Sequence, residues 1–317
     1  MVAENHILAL KGPPGSGGRL PTAIAGSVLA RIEKLIAGSV RMGFRHSSQP
    51  PGRPPEWLRK TCDVRFCGVE SEGDETTLLT FEAPRFGDVA DEVYRQGQLF
   101  ESHPSQDDTG FDLLGDMLDH VANRVVDSER FDSQLLERLR RFSRSMKRGI
   151  ESITVRGHRL RDRNPPKITR QITEIATSLR ETTPAESRVR VAGKLDMIRA
   201  SDNVFELILD PGQRVRGVWV GGESSVLGDL WERQVVIDGS AVFRPSGSLL
   251  RVDAEGMREA SDGDHFFSKL PTPTPQHVDL AGLRAPQTAS TGANAIYGQW
   301  PGDESEEEIL TALKELD

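Results

Sequence analysis

The sequence predicts an α+β protein: a mixed α+β domain over residues 1–183, then a small five-stranded antiparallel β-barrel over 187–258. Three observations predict it. At 317 residues the chain exceeds the roughly 100–200 that one core accounts for. Near Ser187 the apolar period changes from three-and-four to two. Between Pro271 and Ala295 large apolar side chains nearly vanish, so that composition cannot bury enough surface to order itself. Residues 259–296 therefore read as a flexible, disordered linker, and 297–317 as a C-terminal tail helix.

Along the first domain, His6 to Leu10 is an apolar run that reads as a strand, followed by a glycine-rich turn. Ile24, Val28, Ile32 and Leu35 then recur at helical spacing. After the Pro/Gly cluster Gln49–Pro55, Cys62 to Val69 and Thr76 to Phe81 read as a hairpin around the acidic turn Glu70–Glu75. Phe111, Leu114, Leu118, Val121 and Val125 mark one amphipathic helix, and Leu135, Leu139, Phe142 and Met146 a second. Ser152 to Val155 offers a further strand, and Ile168, Ile172, Ile175 and Leu179 a helix entered after Pro165-Pro166.

From Ser187, Val189, Val191, Leu195 and Met197 share one face of a strand that Gly193 allows to bend. Phe205, Leu207 and Leu209 continue on a second strand, and the turn Asp210-Pro211-Gly212-Gln213 leads to a third over Arg214–Val220. Ser224 to Trp231 is helix-like. Gln234–Phe243 and Leu249–Ala254 close the set around Arg244-Pro245-Ser246-Gly247. Three strands, a short helix and two strands, with the first long and kinked at glycine, is the order of an OB-like barrel.

Composition narrows the function. The formal charge of −8 argues against uniform attraction to nucleic acid, although local patches can still attract it. Cys62 and Cys67 are the only cysteines, and the seven histidines are scattered without metal-ligand spacing, so neither metal nor cofactor is expected. No export signal opens the chain and no run approaches a membrane span, which predicts a cytoplasmic protein without a membrane partner.

Three motifs carry the chemistry that remains. Gly12-Pro13-Pro14-Gly15-Ser16-Gly17-Gly18-Arg19 resembles the Walker A loop of AAA-type ATPases through its first six residues. It then places Gly18 and Arg19 where Lys and Ser or Thr are needed, so a degenerate nucleotide-binding loop is the most it implies. Arg138, Arg141, Arg144 and Arg148 fall near one helix face, and the barrel adds Arg188, Arg190, Lys194, Arg214 and Arg216 opposite its core. These are the candidate phosphate contacts of a nucleic-acid-binding reading. Trp219 and Phe243, the aromatic candidates for base stacking, have core parity. Asp262, Asp264 and His265 are adjacent in sequence but read as a surface turn, and no nucleophile with a supporting base appears, so no enzyme is expected.

The tail is the sharpest signal. Ser305 with Glu308 forms a capping box, and Ile309, Leu310, Leu313 and Leu316 give the helix an apolar stripe. Glu306, Glu307 and Glu308 stand at the end where the helix dipole favours negative charge. Tyr297, Trp300, Asp303, Glu304, Glu307 and the four apolar residues are the expected partner contacts, in the manner of a helix laid into a groove. With Trp300-Pro301-Gly302-Asp303-Glu304 ahead of it, this segment of about 20 residues resembles the C-terminal tails of antitoxin-like bacterial proteins encoded beside PIN-domain ribonuclease toxins. That resemblance implies a protein partner, the product of an adjacent gene, whose metal site the acidic residues face. The sequence therefore reads as a non-catalytic interaction protein. The body would supply dimerisation or operon recognition; a nucleic-acid-binding OB-like protein and a degenerate nucleotide-binding protein are the alternatives.

Overall fold

The computed structural model describes residues 3–12, 19–50, 52–94, 103–157, 159, 165–199, 203–222 and 225–274. Met1–Thr274 form one compact unit. The tail, and the linker from residue 275 on, lie outside the described residues.

The first half builds β1 (Ala3–Lys11), α1 (Thr22–Arg45), α2 (Glu56–Thr61), β2 (Arg65–Glu72), β3 (Thr76–Pro84), α3 (Phe86–Val89) and α4 (Asp91–Tyr94). It continues through α5 (Gly110–Ala122), α6 (Ser133–Arg140), α7 (Ser143–Met146), β4 (Ser152–Arg156), β5 (Lys167–Thr169) and α8 (Arg170–Thr182). The strands form an antiparallel sheet in the order β2-β3-β1-β4-β5. Register places Leu8 opposite both Leu79 and Val155, and Leu10 opposite Ile153, so one sheet face is apolar. Ile32, Leu35, Phe111, Leu114 and Leu118 of α1 and α5 share the core with it.

Local chemistry explains where elements differ from expectation. Cys62 is not in a strand: Pro54-Pro55 lead into α2, Trp57 and Leu58 are buried, and Cys62 caps that helix before β2 begins at Arg65. The helix expected over Leu135–Met146 divides at Arg141–Phe142 into α6 and α7, yet Phe142 stays buried. Ile168 belongs to β5, because Thr169 Oγ1 accepts from Ile172 N at 3.3 Å and starts α8 two residues later.

The second half holds β6 (Ser187–Arg199), β7 (Val204–Ile208), β8 (Arg214–Trp219), α9 (Ser225–Asp229), β9 (Gln234–Phe243) and β10 (Leu249–Glu259). They close a barrel in the order β10-β8-β7-β6-β9. The expected all-antiparallel pairing fails at one seam, since β10 runs parallel to β8 after the crossover through α9 and β9. β6 pairs with β9 through Lys194 and with β7 from Lys194 onward, so the strand turns its corner at Gly193. A register shift between Leu195 and Met197 exchanges the faces beyond it, and Ile198 rather than Met197 packs toward the barrel core. Trp219 and Phe243 are buried, as their parity predicts. Val242 and Leu250 instead join the core of the first half, which ties barrel and sheet into one unit.

Candidate functional site

The helical arginines divide by what they touch. Arg138 is turned over Gly38 and donates to the carbonyls of Lys34 (3.2 Å) and Ser48 (3.5 Å) and to Gln49 Oε1 (3.2 Å), so it clamps the α1–α2 connection. Arg141 donates to Glu137 Oε1 at 3.3 Å, but that carboxylate also takes Arg140 in two 2.7 Å bonds and Arg180 at 3.3 Å. The Arg140 bonds, first among these, hold the Glu137 pKa down to about 2. Arg144 and Arg148 are exposed. Between them, Arg31 of α1 donates from Nη1 to Ser145 Oγ at 2.6 Å. Burial, then the guanidinium groups of Arg144, Arg148 and Arg141, pull the Arg31 pKa below its ordinary value. Arg31 carries no mark in the sequence, because it lies on a helix 110 residues before Arg141.

On the barrel the expected basic face is largely neutralised. Arg188 pairs with Glu255 (2.6 Å), and Arg190 pairs with Asp238 (2.8 Å) while its guanidinium lies 5.3 Å from the Phe267 ring centroid. Arg214 pairs with Glu206 and lies 3.7 Å from Asp196. Arg216 pairs with Glu129 of the α5–α6 connection (3.1 Å), and Lys194 is exposed.

That connection meets the barrel through carboxylates. Glu129 takes Arg216 and Arg244 (3.0 Å), Asp127 accepts from Ser248 Oγ (2.8 Å), and Asp132 lies 3.7 Å from Arg251. Burial opposes ionisation of Glu129, but Arg216 and Arg244 outweigh it and the pKa falls. A polar cleft of about 420 Å³ opens beside this seam, lined among others by His46, His103, Asp108, Asp116, Arg130 and Arg216. His46 closes α1 in the left-handed region with φ 52°. Its Nδ1 is 3.2 Å from Arg216 Nη1; a guanidinium only donates, so the imidazole proton belongs on Nε2. Burial and then neighbouring Arg216 hold His46 well below the ordinary histidine range, and burial and then Arg199 hold His103 at about 4. Both rings are neutral at pH 7. Sequence reading missed this cleft because its walls come from five separate stretches of chain.

The remaining candidates resolve into structure. Asp264 accepts from Arg258 Nη1 (2.7 Å) and Nη2 (2.9 Å) and from Ser261 N (2.8 Å), which makes the 260–265 segment a braced turn. Cys62 and Cys67 are free thiols, and burial pushes Cys62 up to about 11. Among the described residues no group of three His, Cys, Asp or Glu is placed to hold a metal, and no helix is long and apolar enough to cross a membrane. Gly12 is described but 13–18 of the glycine-rich loop are not. Tyr297, Trp300, Asp303, Glu304, Glu307, Ile309, Leu310, Leu313 and Leu316 all lie outside the described residues.

Fold and faces together define a class: an α+β body with a closed five-stranded barrel, presenting arginines that are paired on the barrel and crowded on the helices. No protein-family model, no curated protein and no solved structure matches the chain.

Proposed function

We propose that the chain is a non-catalytic, antitoxin-like interaction protein whose C-terminal segment captures a second protein, a PIN-type ribonuclease or a relative of one. The observation that carries this reading is the sequence of the tail. Tyr297 and Trp300 lead an acidic capping segment into a stripe of Ile309, Leu310, Leu313 and Leu316. A segment of that pattern gains most when a partner's groove covers its apolar side, while Asp303, Glu304 and Glu307 offer carboxylates to a cationic or metal-bearing site. Two features of the body support binding rather than catalysis. Glu129 and Asp108 in the cleft are each engaged by an arginine, and burial holds the cleft's two histidines below the ordinary histidine range. We read the barrel as OB-like, because numbering its strands one to five gives the closed order 1-2-3-5-4 with strands three and five parallel.

The test is co-expression with the product of the adjacent gene, with the full chain and with residues 1–296 as baits. Capture by the full chain and an at least tenfold lower recovery by 1–296 are expected, a loss of about 1.4 kcal/mol or more. Equal recovery by the two baits rejects the reading.

A further inference from the structure

We propose that Arg31, Arg141, Arg144 and Arg148 form a binding surface for a nucleic-acid backbone, recognised through its phosphates and not its bases. None of the four residues belongs to the tail or to the barrel. Arg144 lies in α7 and Arg141 and Arg148 in the turns that flank it, at sequence intervals of three and four, and all three guanidinium groups stand near enough to Arg31 to act on it. The Arg31–Ser145 hydrogen bond of 2.6 Å brings a fourth guanidinium from α1 into the same row.

Such a row is self-repelling, and elsewhere the molecule avoids that cost. Arg188, Arg190, Arg214 and Arg216 each face a carboxylate. Among the described residues no carboxylate pairs with Arg31, Arg144 or Arg148, and Glu137, which reaches Arg141, is already shared with Arg140 and Arg180. A counter-charge that the described residues do not supply is what this arrangement lacks.

The shape of the row selects the class of anion. A single phosphate would meet at most two of these guanidinium groups, whereas a polyanion meets all of them. A protein or a membrane surface would also want an apolar anchor. Phe142 and Ile150 near the row are buried, and the large apolar side chains exposed among the described residues, Phe66, Val69, Val126, Trp231, Phe266 and Leu270, belong to other segments. Charge without grease is the footprint of backbone contact with nucleic acid.

The experiment is fluorescence anisotropy of the full-length protein with labelled single-stranded and duplex oligonucleotides of about 20 nucleotides, between about 50 and 200 mM salt. Binding that weakens linearly in log salt is expected. The triple variant R31Q/R144Q/R148Q should bind at least tenfold more weakly at the low-salt end, with a slope shallower by about two to three. The barrel triple R188Q/R190Q/R214Q should stay within about twofold of the parent, and R31K/R144K/R148K should keep most of the affinity, since a backbone phosphate accepts a point charge. Should the Gln triple melt early, R148Q alone, at the exposed end of the row, should still lower the slope by about one. The proposal is overturned by absent binding at the lowest salt, by equal losses in the two Gln triples, or by vesicles rich in phosphatidylserine binding as tightly as the oligonucleotides.

Discussion

Arg251 is 4% exposed and Asp132, across the seam from it, is equally buried, so each charge depends on its immediate partners for compensation. Asp132 accepts from Ser48 N (2.9 Å), Ser48 Oγ (2.7 Å) and Leu135 N (2.9 Å), capping α6 while it faces Arg251. Arg251 in turn donates to Asp253 (2.7 Å) and the His46 carbonyl (2.9 Å). Asp132→Ala removes a cap and leaves a buried guanidinium short of charge; a loss of about 3–5 kcal/mol is expected in urea unfolding. A loss under about 1 kcal/mol would show that Asp253 alone suffices. His6 gives a pH dependence of definite sign. It is fully buried, stacked 4.5 Å from Phe111, with Nε2 3.1 Å from Thr109 Oγ1, and burial lowers its pKa from 6.5 to about 4. The unfolded chain takes up a proton below pH 6.5 while the folded chain resists until about 4, so stability is complete above 6.5 and drains away as pH falls through that window. His103 acts in the same direction. His6→Asn should flatten the plot of unfolding free energy against pH by about 1.4 kcal/mol per unit in that window. An unchanged slope in the variant would mean that His6 is not the group titrating.

At the scale of elements, β6 shows what a residue pattern conveys and what it leaves out. Gly193 in an alternating strand marked a bend, and the strand does exchange β9 for β7 there. A Cβ at Gly193 would stand 2.8 Å from both the Ile208 carbonyl oxygen and Leu209 Cδ2. Gly193→Val should therefore open or strain the corner and lower the melting temperature by about 4 °C or more, a cost of about 2 kcal/mol. A shift within about 2 °C would mean that the strand bends without needing glycine there. The register shift after Leu195, by contrast, leaves no trace in composition, and so Met197 and Ile198 exchange their expected faces. Helices were legible wherever one apolar stripe met one core, as in α1 and α5. The division of α6 from α7 was not, because Leu135, Leu139 and Phe142 keep their spacing through the turn and are buried on both sides of it. The ridge shows the same limit: three of its arginines share a helical period, whereas Arg31 joins through the packing of α1 on α7 and Arg138 leaves by turning inward.

Charge is the property that only the whole molecule displays. Residues 297–317 hold seven acidic side chains and one basic, which is −6 of the chain's formal −8. Residues 1–296 therefore carry only −2, and the phosphate surface proposed on α1 and α7 belongs to a nearly neutral body attached to a strongly acidic tail. A polyanion bound at that surface would be repelled by the tail's charge wherever the two come within the screening length, about 10 Å at 0.1 M salt and about 30 Å at 0.01 M. Residues 297–317 fall outside the compact unit Met1–Thr274, and the effect expected of removing them is electrostatic. The expected outcome is a three- to tenfold gain, about 0.7–1.4 kcal/mol, in affinity for a 20-nucleotide strand at about 50 mM salt, fading as the salt is raised. The same deletion should abolish capture of the protein partner, so one truncation moves the two activities in opposite directions. By linkage, a partner that neutralises the tail must raise nucleic-acid affinity as truncation does, and bound nucleic acid must raise the affinity for the partner by the same factor. Anisotropy titrations of the full chain and of residues 1–296 at two salt concentrations measure the first effect. Equal affinities at the lower salt would mean that the tail's charge does not reach the surface, and the coupling would fall with it.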